Sequence, residues 1–422
     1  MYDIFSVRDF KFPKGFEWGS ATAAHQIEGM NCNSDYWYDE QARLKINPDA
    51  EVSGMACNHY NMVEDDVNLI SALGHQVYRM SIEWARIEPI EGQFSREATE
   101  HYIRELQLLK SKGIKVFVTL VHFTLPQWFK ELGWVGKMEN LKYFERYLRY
   151  IVPLIKDYVD YWNVFNEFNL HDNVERKLNF VRYHAHGYHI IKEYSKAPVS
   201  TSHALVLKYP YRKFDKADNL MAEYKDYTDN EFFFHAMRTG ELVHPFTNGG
   251  FYPEIKDTVD YWSINTYVRD MIDARKSDLK GDRYNNKKID LINYKFYLDE
   301  IYPEGMLHNL TRLIDKPVII SENGCSCDDD RWRIIYLTLF LSSLEEAIKC
   351  GIDVRGYLYW STMDNYEWYS FKPRFGLVEV DFETFKRTPR PSAHFYKEII
   401  ENNGFSQEIL RKYLKELPTI GI

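Results

Sequence analysis

Two glutamates, Glu167 and Glu322, stand where short apolar runs stop. The first closes "DYWNVFNE" and the second sits in "PVIISENG", so each places a carboxyl group at the tip of a stretch whose residue types suit a buried strand. One such carboxylate is ordinary, because acids commonly follow strands as helix N-caps or first-turn residues. Their joint placement points further. Two carboxyl groups facing each other across a sugar are the apparatus of glycosidic bond cleavage: one protonates the leaving oxygen while the other attacks the anomeric carbon or activates water. A gap of roughly 5–5.5 Å makes the second group a nucleophile, and a wider gap implies inversion at the anomeric centre.

The elements that must position these groups are legible as an alternation. Eight β-rich runs recur along the 422 residues: "FEWGSATA", "QVYRMSI", "KVFVTLVH", "DYWNVFNE", "VSTSHALV", "DYWSINTY", "PVIISENG" and "VRGYLYWS". Helix-like stretches separate them. The clearest, "TEHYIRELQLLKSKG", carries Tyr102, Ile103, Leu106 and Leu109 on one face and stops at Gly113. Strands alternating with helices call for a parallel sheet covered by helices, and eight such units predict an α/β fold of the closed (β/α)8 TIM barrel type. A doubly wound sheet is the rival, but it would carry a glycine-rich phosphate turn. The Gly249-Gly250 pair in "TNGGFYPE" reads as a loop, and neither G-x-G-x-x-G nor G-x-x-x-x-G-K-[ST] occurs. No low-complexity segment, linker or fixed-period repeat marks a boundary, so one domain over residues 1–422 is expected. Barrel active sites lie at the C-terminal ends of strands, which would bring Glu167, in the fourth unit, and Glu322, in the seventh, to one mouth.

Composition narrows the partners. A formal net charge of -9 with both signs interspersed gives no electrostatic case for nucleic acid or an anionic membrane. The start "MYDIFSVRDFKFPKGF" does not read as a secretory signal, and runs such as "VFVTLV" are too short to span a bilayer. Five scattered cysteines fit reduced thiols and a cytoplasmic location. Aromatics make up 16% of the chain, which suits the C–H faces of sugars, although large barrels also consume aromatics in packing. "HAHGYH" brings His184, His186 and His189 close in sequence, but i and i+2 point apart on a helix and no second ligand pair accompanies them, so no metal is expected. Cys325 and Cys327 form a lone C-x-C after Glu322, expected to shape the entrance for the leaving group rather than to bind metal.

Several segments, in order along nearly the whole chain, resemble glycoside hydrolase family 1, the retaining β-glucosidases and β-galactosidases. They are "FPKGFEWGSATAAHQIEG", "FNE", "IISENG" and "YWSTMDNYEW". The resemblance implies that Glu167 is the general acid/base and Glu322 the nucleophile. It implies that Gln26, His122, Asn166, Glu367 and Trp368 surround the sugar, that Trp360 is the platform beneath it, and that Tyr267 bonds the nucleophile, with Arg79 beside it. These roles make chemical sense. Gln26 offers an amide fork, His122 a ring donor or acceptor and Glu367 two acceptor oxygens for vicinal hydroxyls, while Asn166 is placed to hold the 2-hydroxyl. Arg79 and Tyr267 would favour the charged form of Glu322, and an apolar surround would favour the acid form of Glu167. No cofactor or metal is required.

Departures from the family pattern fall around the acid/base, beside the nucleophile and after His122. Val164 and Phe168 replace the usual Thr and Pro, Ser321 the usual Thr, and Phe123 the Trp that often follows the histidine. Phe168 is expected to bend the backbone after Glu167 and add an apolar wall on the leaving-group side. Members acting on 6-phosphorylated sugars tend to carry Ser where this chain has Glu367, so an unphosphorylated β-glucoside is expected first, with galactoside or fucoside next. Two alternatives remain open, a noncatalytic sugar-binding barrel and a related β-glucan endoglycanase, as do monomeric and homo-oligomeric assembly.

Overall fold

In the computed structural model, which describes residues 3–170, 173–245, 248–275 and 301–418, eight parallel strands close a barrel. They are β1 (Glu17–Ala21), β2 (Val77–Ser81), β3 (Lys115–Val121), β4 (Tyr161–Asn166), β5 (Val199–Ala204), β6 (Trp262–Asn265), β7 (Val318–Asn323) and β8 (Val354–Trp360). Each neighbours the next in sequence, and β8 pairs with β1 through Gly356↔Glu17 to Trp360↔Ala21. Helices cover the outside, among them α1 (Val63–Ala72), α2 (Arg96–Ser111), α3 (Leu141–Ile155), α4 (Val174–Tyr194), α5 (Phe232–Thr239), α6 (Glu304–Leu310), α7 (Asp330–Lys349) and α8 (Pro391–Asn402).

Local sequence explains where these elements begin and stop. Helix α2 is capped by the Ser95 side chain, which accepts from Ala98 N, and the chain leaves it through Gly113 at φ +73°. Its Tyr102, Leu106 and Leu109 are buried against the barrel, with Ile103 half-buried beside them. In the "TNGGFYPE" stretch Gly250–Phe251 pairs antiparallel with Glu241–Leu242, where a loop is expected; Thr247 lies outside the described residues. Among the described residues no helix is long and apolar enough to cross a membrane.

The barrel interior is layered, and the layers set the chemistry. Near the N-terminal ends Val77, Phe117, Tyr261, Ile319 and Leu358 form an apolar plug. Above it lies a buried polar layer of Arg79, Thr119, Asn163, Ser202, Ser263 and Ser321, joined by hydrogen bonds such as Ser263 Oγ to Ser321 Oγ at 2.8 Å.

Two register shifts then decide which residues face the mouth. Across β6 and β7, Ile264 opposes Ile320 but Asn265 opposes Glu322, so β7 carries an extra residue at Ser321. Strict alternation from the inward Ile319 and Ser321 would turn Glu322 outward; the bulge turns it in. Between β4 and β5, Asn163 opposes Ser200 while Asn166 opposes Ser202, three residues against two. Phe165 consequently packs outside on Phe144 of α3 and Phe180 of α4, and Asn166 faces the interior.

Candidate active site

A cavity of about 320 Å³ opens at the C-terminal mouth, and Glu167 and Glu322 both line it. Arg79, fully buried on β2, anchors its floor. Its Nη1 donates to Glu322 Oε1, its Nη2 donates to Asn166 Oδ1 at 2.6 Å and to Ser202 Oγ at 3.1 Å, and its Nε donates to Thr119 Oγ1 at 3.2 Å. Tyr267 OH donates to the other oxygen of Glu322 at 2.7 Å. Burial and the charge of Glu322 push the Tyr267 phenol well above its ordinary pKa, so it remains a donor. Gly324, just beyond Glu322, passes so close to β8 that an added Cβ would lie 1.8 Å from the Trp360 carbonyl oxygen.

Asn265, at the end of β6, ties the Glu167 carboxylate to Asn166 and to Ser321, the residue before Glu322. Its Nδ2 donates to Glu167 Oε1 and to Asn166 Oδ1, both at 3.0 Å, and its Oδ1 accepts from Ser321 Oγ at 2.7 Å. Two donors on Asn166 Oδ1 fix that amide, so its Nδ2 faces His122 Nε2 at 3.2 Å as the donor. His122 therefore accepts at Nε2 and carries its proton on Nδ1. Burial, helped by the Arg79 charge, holds the ring well below its usual pKa and keeps it neutral. His122 Nδ1 makes no hydrogen bond within the described protein, and neither does Gln26 Oε1, though both are buried. Unmet buried polar atoms cost about 1–3 kcal/mol each, a cost that a polar ligand in the cavity would relieve.

The opposite wall is built on Glu367. Trp360 Nε1 donates to its Oε1 at 2.9 Å and Gln26 Nε2 to its Oε2 at 3.1 Å. Burial raises the Glu367 carboxyl to about 8, with the Glu322 charge adding to the rise. The rings of Trp360 and Trp368 lie nearly parallel to His122, at 16° and 17°. Three residues of the cavity lining hold positive φ without being glycine: Phe123 at +65°, Glu167 at +46° and Trp368 at +41°. Such conformations cost free energy and persist where the surroundings over-determine them, as at functional sites.

All ten residues singled out in the sequence thus sit in or directly behind one cavity, Arg79 beneath it and Gln26 behind Glu367. Sequence reasoning missed Asn265, although it lies two residues before Tyr267 in "INTY", and it missed Tyr36, which lines the same cavity. Two expectations are corrected. Phe168 does not wall the leaving-group side: the positive φ of Glu167 turns the chain, and Phe168 is buried behind it against Phe233, Phe180 and His184. Cys325 and Cys327 do not shape the entrance; both are buried and absent from the cavity lining, with Cys325 N–H facing Tyr359 OH at 3.5 Å. The histidines of "HAHGYH" separate, His184 bonding the Thr258 carbonyl, His186 Glu145 and His189 the Glu254 carbonyl.

Comparison with known proteins gives this geometry its relatives. The sequence model of Glycosyl hydrolase family 1 matches residues 8–176 and 172–405. Beta-glucosidase A of Acetivibrio thermocellus is 30% identical over 93% of this chain and 99% of its own. The 6-phospho-beta-galactosidase of Staphylococcus epidermidis is 27% identical over 93% and 98%. Among solved structures, a beta-glycosidase from Pyrococcus horikoshii superposes with a TM-score of 0.84 at 33% identity, covering 96% of this chain and 98% of that one. A barrel of this topology, matched along nearly its whole length by the family's own pattern, leaves one assignment: the chain belongs to Glycosyl hydrolase family 1 and is a glycoside hydrolase.

Proposed function

We propose that the protein is a retaining, exo-acting β-glycosidase for unphosphorylated β-glycosides, glucosides first and galactosides or fucosides next. The observation that carries this reading is the clamping of Glu322 by Arg79 on one oxygen and Tyr267 on the other, in the cavity that also holds Glu167. In the first step Glu322 attacks the anomeric carbon as the bond to the leaving oxygen breaks, and Glu167 delivers its proton to that oxygen. A covalent glycosyl-enzyme results. Glu322 has then lost its charge, and Glu167, now a carboxylate, takes a proton from water as the water attacks the same carbon and frees Glu322. Asn265, tied to Ser321 behind it, aims the Glu167 carboxyl through both steps.

The sugar's hydroxyls are matched to groups that await partners. Gln26 Oε1 and His122 Nδ1–H supply an acceptor and a donor, and the second amide hydrogen of Asn166 is free for the 2-hydroxyl. Glu367, drawn together with Gln26, completes the recognition of vicinal hydroxyls. A 6-phosphate would meet the Glu367 carboxyl with no Lys or Arg among the described residues that line the cavity to balance it, which supports the unphosphorylated reading. A cavity of about 320 Å³ suits one ring and part of a second, supporting exo action over a long cleft. Five free thiols fit a reducing compartment such as the cytoplasm.

The test is hydrolysis of aryl β-glucoside, galactoside, fucoside, mannoside and 6-phospho-glucoside by wild type, Glu322→Ala and Glu167→Ala, with azide added to the variants. Azide rescue of Glu322→Ala that yields the inverted glycosyl azide supports the assignment. A 6-phospho-glucoside cleaved more efficiently than its unphosphorylated counterpart overturns the substrate order, and silence of wild type on the whole panel favours a noncatalytic sugar-binding barrel.

A further inference from the structure

Two thiols lie just beyond the strand that ends at Glu322 and Asn323. Cys325 and Cys327 follow β7 by two and four residues, and both are buried. Residues two apart in sequence lie at most about 7 Å apart at Cα, which overlaps the roughly 4.4–6.8 Å that a disulfide spans. Their side chains already meet, the Cys325 S–H bonding the Cys327 sulfur.

Arg333, fully buried on α7, gives the pair its chemistry. Its Nε donates to Tyr359 OH at 3.1 Å and its Nη2 to the Arg374 carbonyl at 2.5 Å. The cysteines meet the same two oxygens: Cys325 N–H faces Tyr359 OH at 3.5 Å, and Cys327 N–H donates to the Arg374 carbonyl at 3.3 Å. The guanidinium is therefore held against both residues. Its carboxylate partner Asp330 is shared with Ser392, whose N–H and Oγ each donate to it at 2.7 Å. The Cys325 S–H and the Arg333 charge hold the Cys327 thiol below its ordinary range, while burial pushes the Cys325 thiol well above its own. One sulfur is set up as nucleophile and the other as its proton-bearing partner.

We propose that Cys325 and Cys327 are a reversible oxidation site, converted to a disulfide by a small hydroperoxide. The Cys327 thiolate attacks one peroxide oxygen, so that an S–O bond forms as the O–O bond breaks. The departing oxygen takes up the proton that Cys327 gave, and Cys327 becomes a sulfenic acid. The Cys325 sulfur then attacks the Cys327 sulfur: the S–S bond forms, the S–O bond breaks, and hydroxide leaves with the Cys325 proton as water. Each sulfur loses one electron and the peroxide gains two. Burial suits this class of oxidant, because hydrogen peroxide is scarcely larger than water.

Backbone contacts tie the site to the cavity. Gly324 lies against the Trp360 carbonyl, Ser326 Oγ accepts from Arg374 N–H at 2.7 Å, and Ser361 N–H donates to the Phe375 carbonyl at 3.4 Å. Trp360 and Phe375 line the cavity. Drawing the sulfurs to the roughly 2 Å of a disulfide pulls on this backbone, so oxidation should lower activity.

The test treats wild type with hydrogen peroxide, blocks the remaining thiols with N-ethylmaleimide in denaturant and maps the peptides by mass spectrometry, alongside hydrolysis of an aryl β-glucoside. The expected result is a peptide holding Cys325 and Cys327 that has lost two hydrogen atoms and escapes the block, a several-fold fall in kcat/KM, and reversal of both by dithiothreitol. Cys325→Ser should instead let Cys327 pass on to sulfinic acid, with a loss that dithiothreitol does not reverse; recovery equal to that of wild type counts against the site. Both thiols found blocked at a peroxide dose that oxidises the exposed Cys32 and Cys350 overturns it. An internal disulfide with unchanged kcat/KM overturns its link to the cavity. The disulfide is read by mass alone, so absence of hydrolysis by untreated wild type would sink the glycosidase reading and leave the oxidation site standing.

Discussion

On the β1 and β8 side of the cavity, Glu367 is held by Gln26 and Trp360, and the buried Gln26 Oε1 and the neighbouring His122 Nδ1 are left over for a ligand. On the β5 and β6 side the polar atoms of the wall are turned backward onto Asn169, Asn230 and Asn309, and methyl groups face the cavity. The same chemical device, a buried amide, serves opposite ends: Gln26 keeps polarity available to a sugar, whereas the three asparagines hide it. Specificity at the first end comes from hydrogen bonds that only correctly placed hydroxyls complete. Glu167 and Glu322 stand at the boundary.

The largest effect should come from breaking that boundary. Glu322→Ala is expected to lower kcat for aryl β-glucosides by more than the roughly 10⁴-fold reach of a lost general acid, measured by steady-state hydrolysis. Next, Glu167→Gln should cost about 10²–10⁴-fold on hexyl β-glucoside and far less on a dinitrophenyl glucoside, whose leaving group needs no proton. A comparable loss on both substrates would contradict the role of Glu167.

Asn265→Ala sharpens the comparison between aiming and binding. It removes the donor to both Glu167 and Asn166, and a loss of about 1–3 kcal/mol corresponds to roughly 5- to 150-fold in kcat for hexyl β-glucoside. Because Asn265 acts through the acid, the loss should shrink for the dinitrophenyl substrate; a purely structural role would lower both alike.

Glu367 gives a pH signature of the polar end. Its carboxyl is raised to about 8 by burial, against about 4.5 when unfolded. The neutral acid is the form the fold prefers, so its stabilising contribution is complete below pH 4.5 and is lost as pH rises through 8. Over that window the loss is at most about 1.4 kcal/mol per pH unit. Glu367→Gln should therefore gain stability relative to wild type between pH 5 and pH 9, followed by denaturant unfolding at both values; a constant difference would contradict the buried, protonated state. The smallest effect is predicted for Phe168→Leu, which should lower stability by about 1 kcal/mol and leave kcat/KM for aryl β-glucosides unchanged, since Phe168 packs on Phe233 and Phe180 rather than in the cavity.

How far the sequence reaches can be judged at particular residues. The eight apolar runs mark the eight barrel strands because alternation of strand and helix is a local property, written in residue types a few positions apart. The tips of the fourth and seventh runs locate Glu167 and Glu322 for the same reason. What brings Glu322 inward is different in kind: the extra residue at Ser321 is defined only against the register of β6, a strand more than fifty positions away. The offset at Asn166 depends likewise on β5. Asn265 escaped notice because a lone asparagine after an apolar run has many local uses, and only the meeting of β4, β6 and β7 gives it Glu167 and Ser321 as partners. Phe168 shows the converse. Its type suggested an apolar wall, but the left-handed backbone at Glu167 swung it behind the site and gave that place to Leu170.

Whether Glu322 forms the covalent glycosyl-enzyme is decided by inactivating the protein with a 2-deoxy-2-fluoro-β-glucoside bearing a good leaving group and locating the label by peptide mass spectrometry. One fluoroglucosyl group per chain is expected, on the peptide containing Ser321, Glu322 and Asn323, and on the Glu322 carboxyl within it. A label on another residue, or hydrolysis of aryl glycosides that continues with none attached, would contradict that role of Glu322.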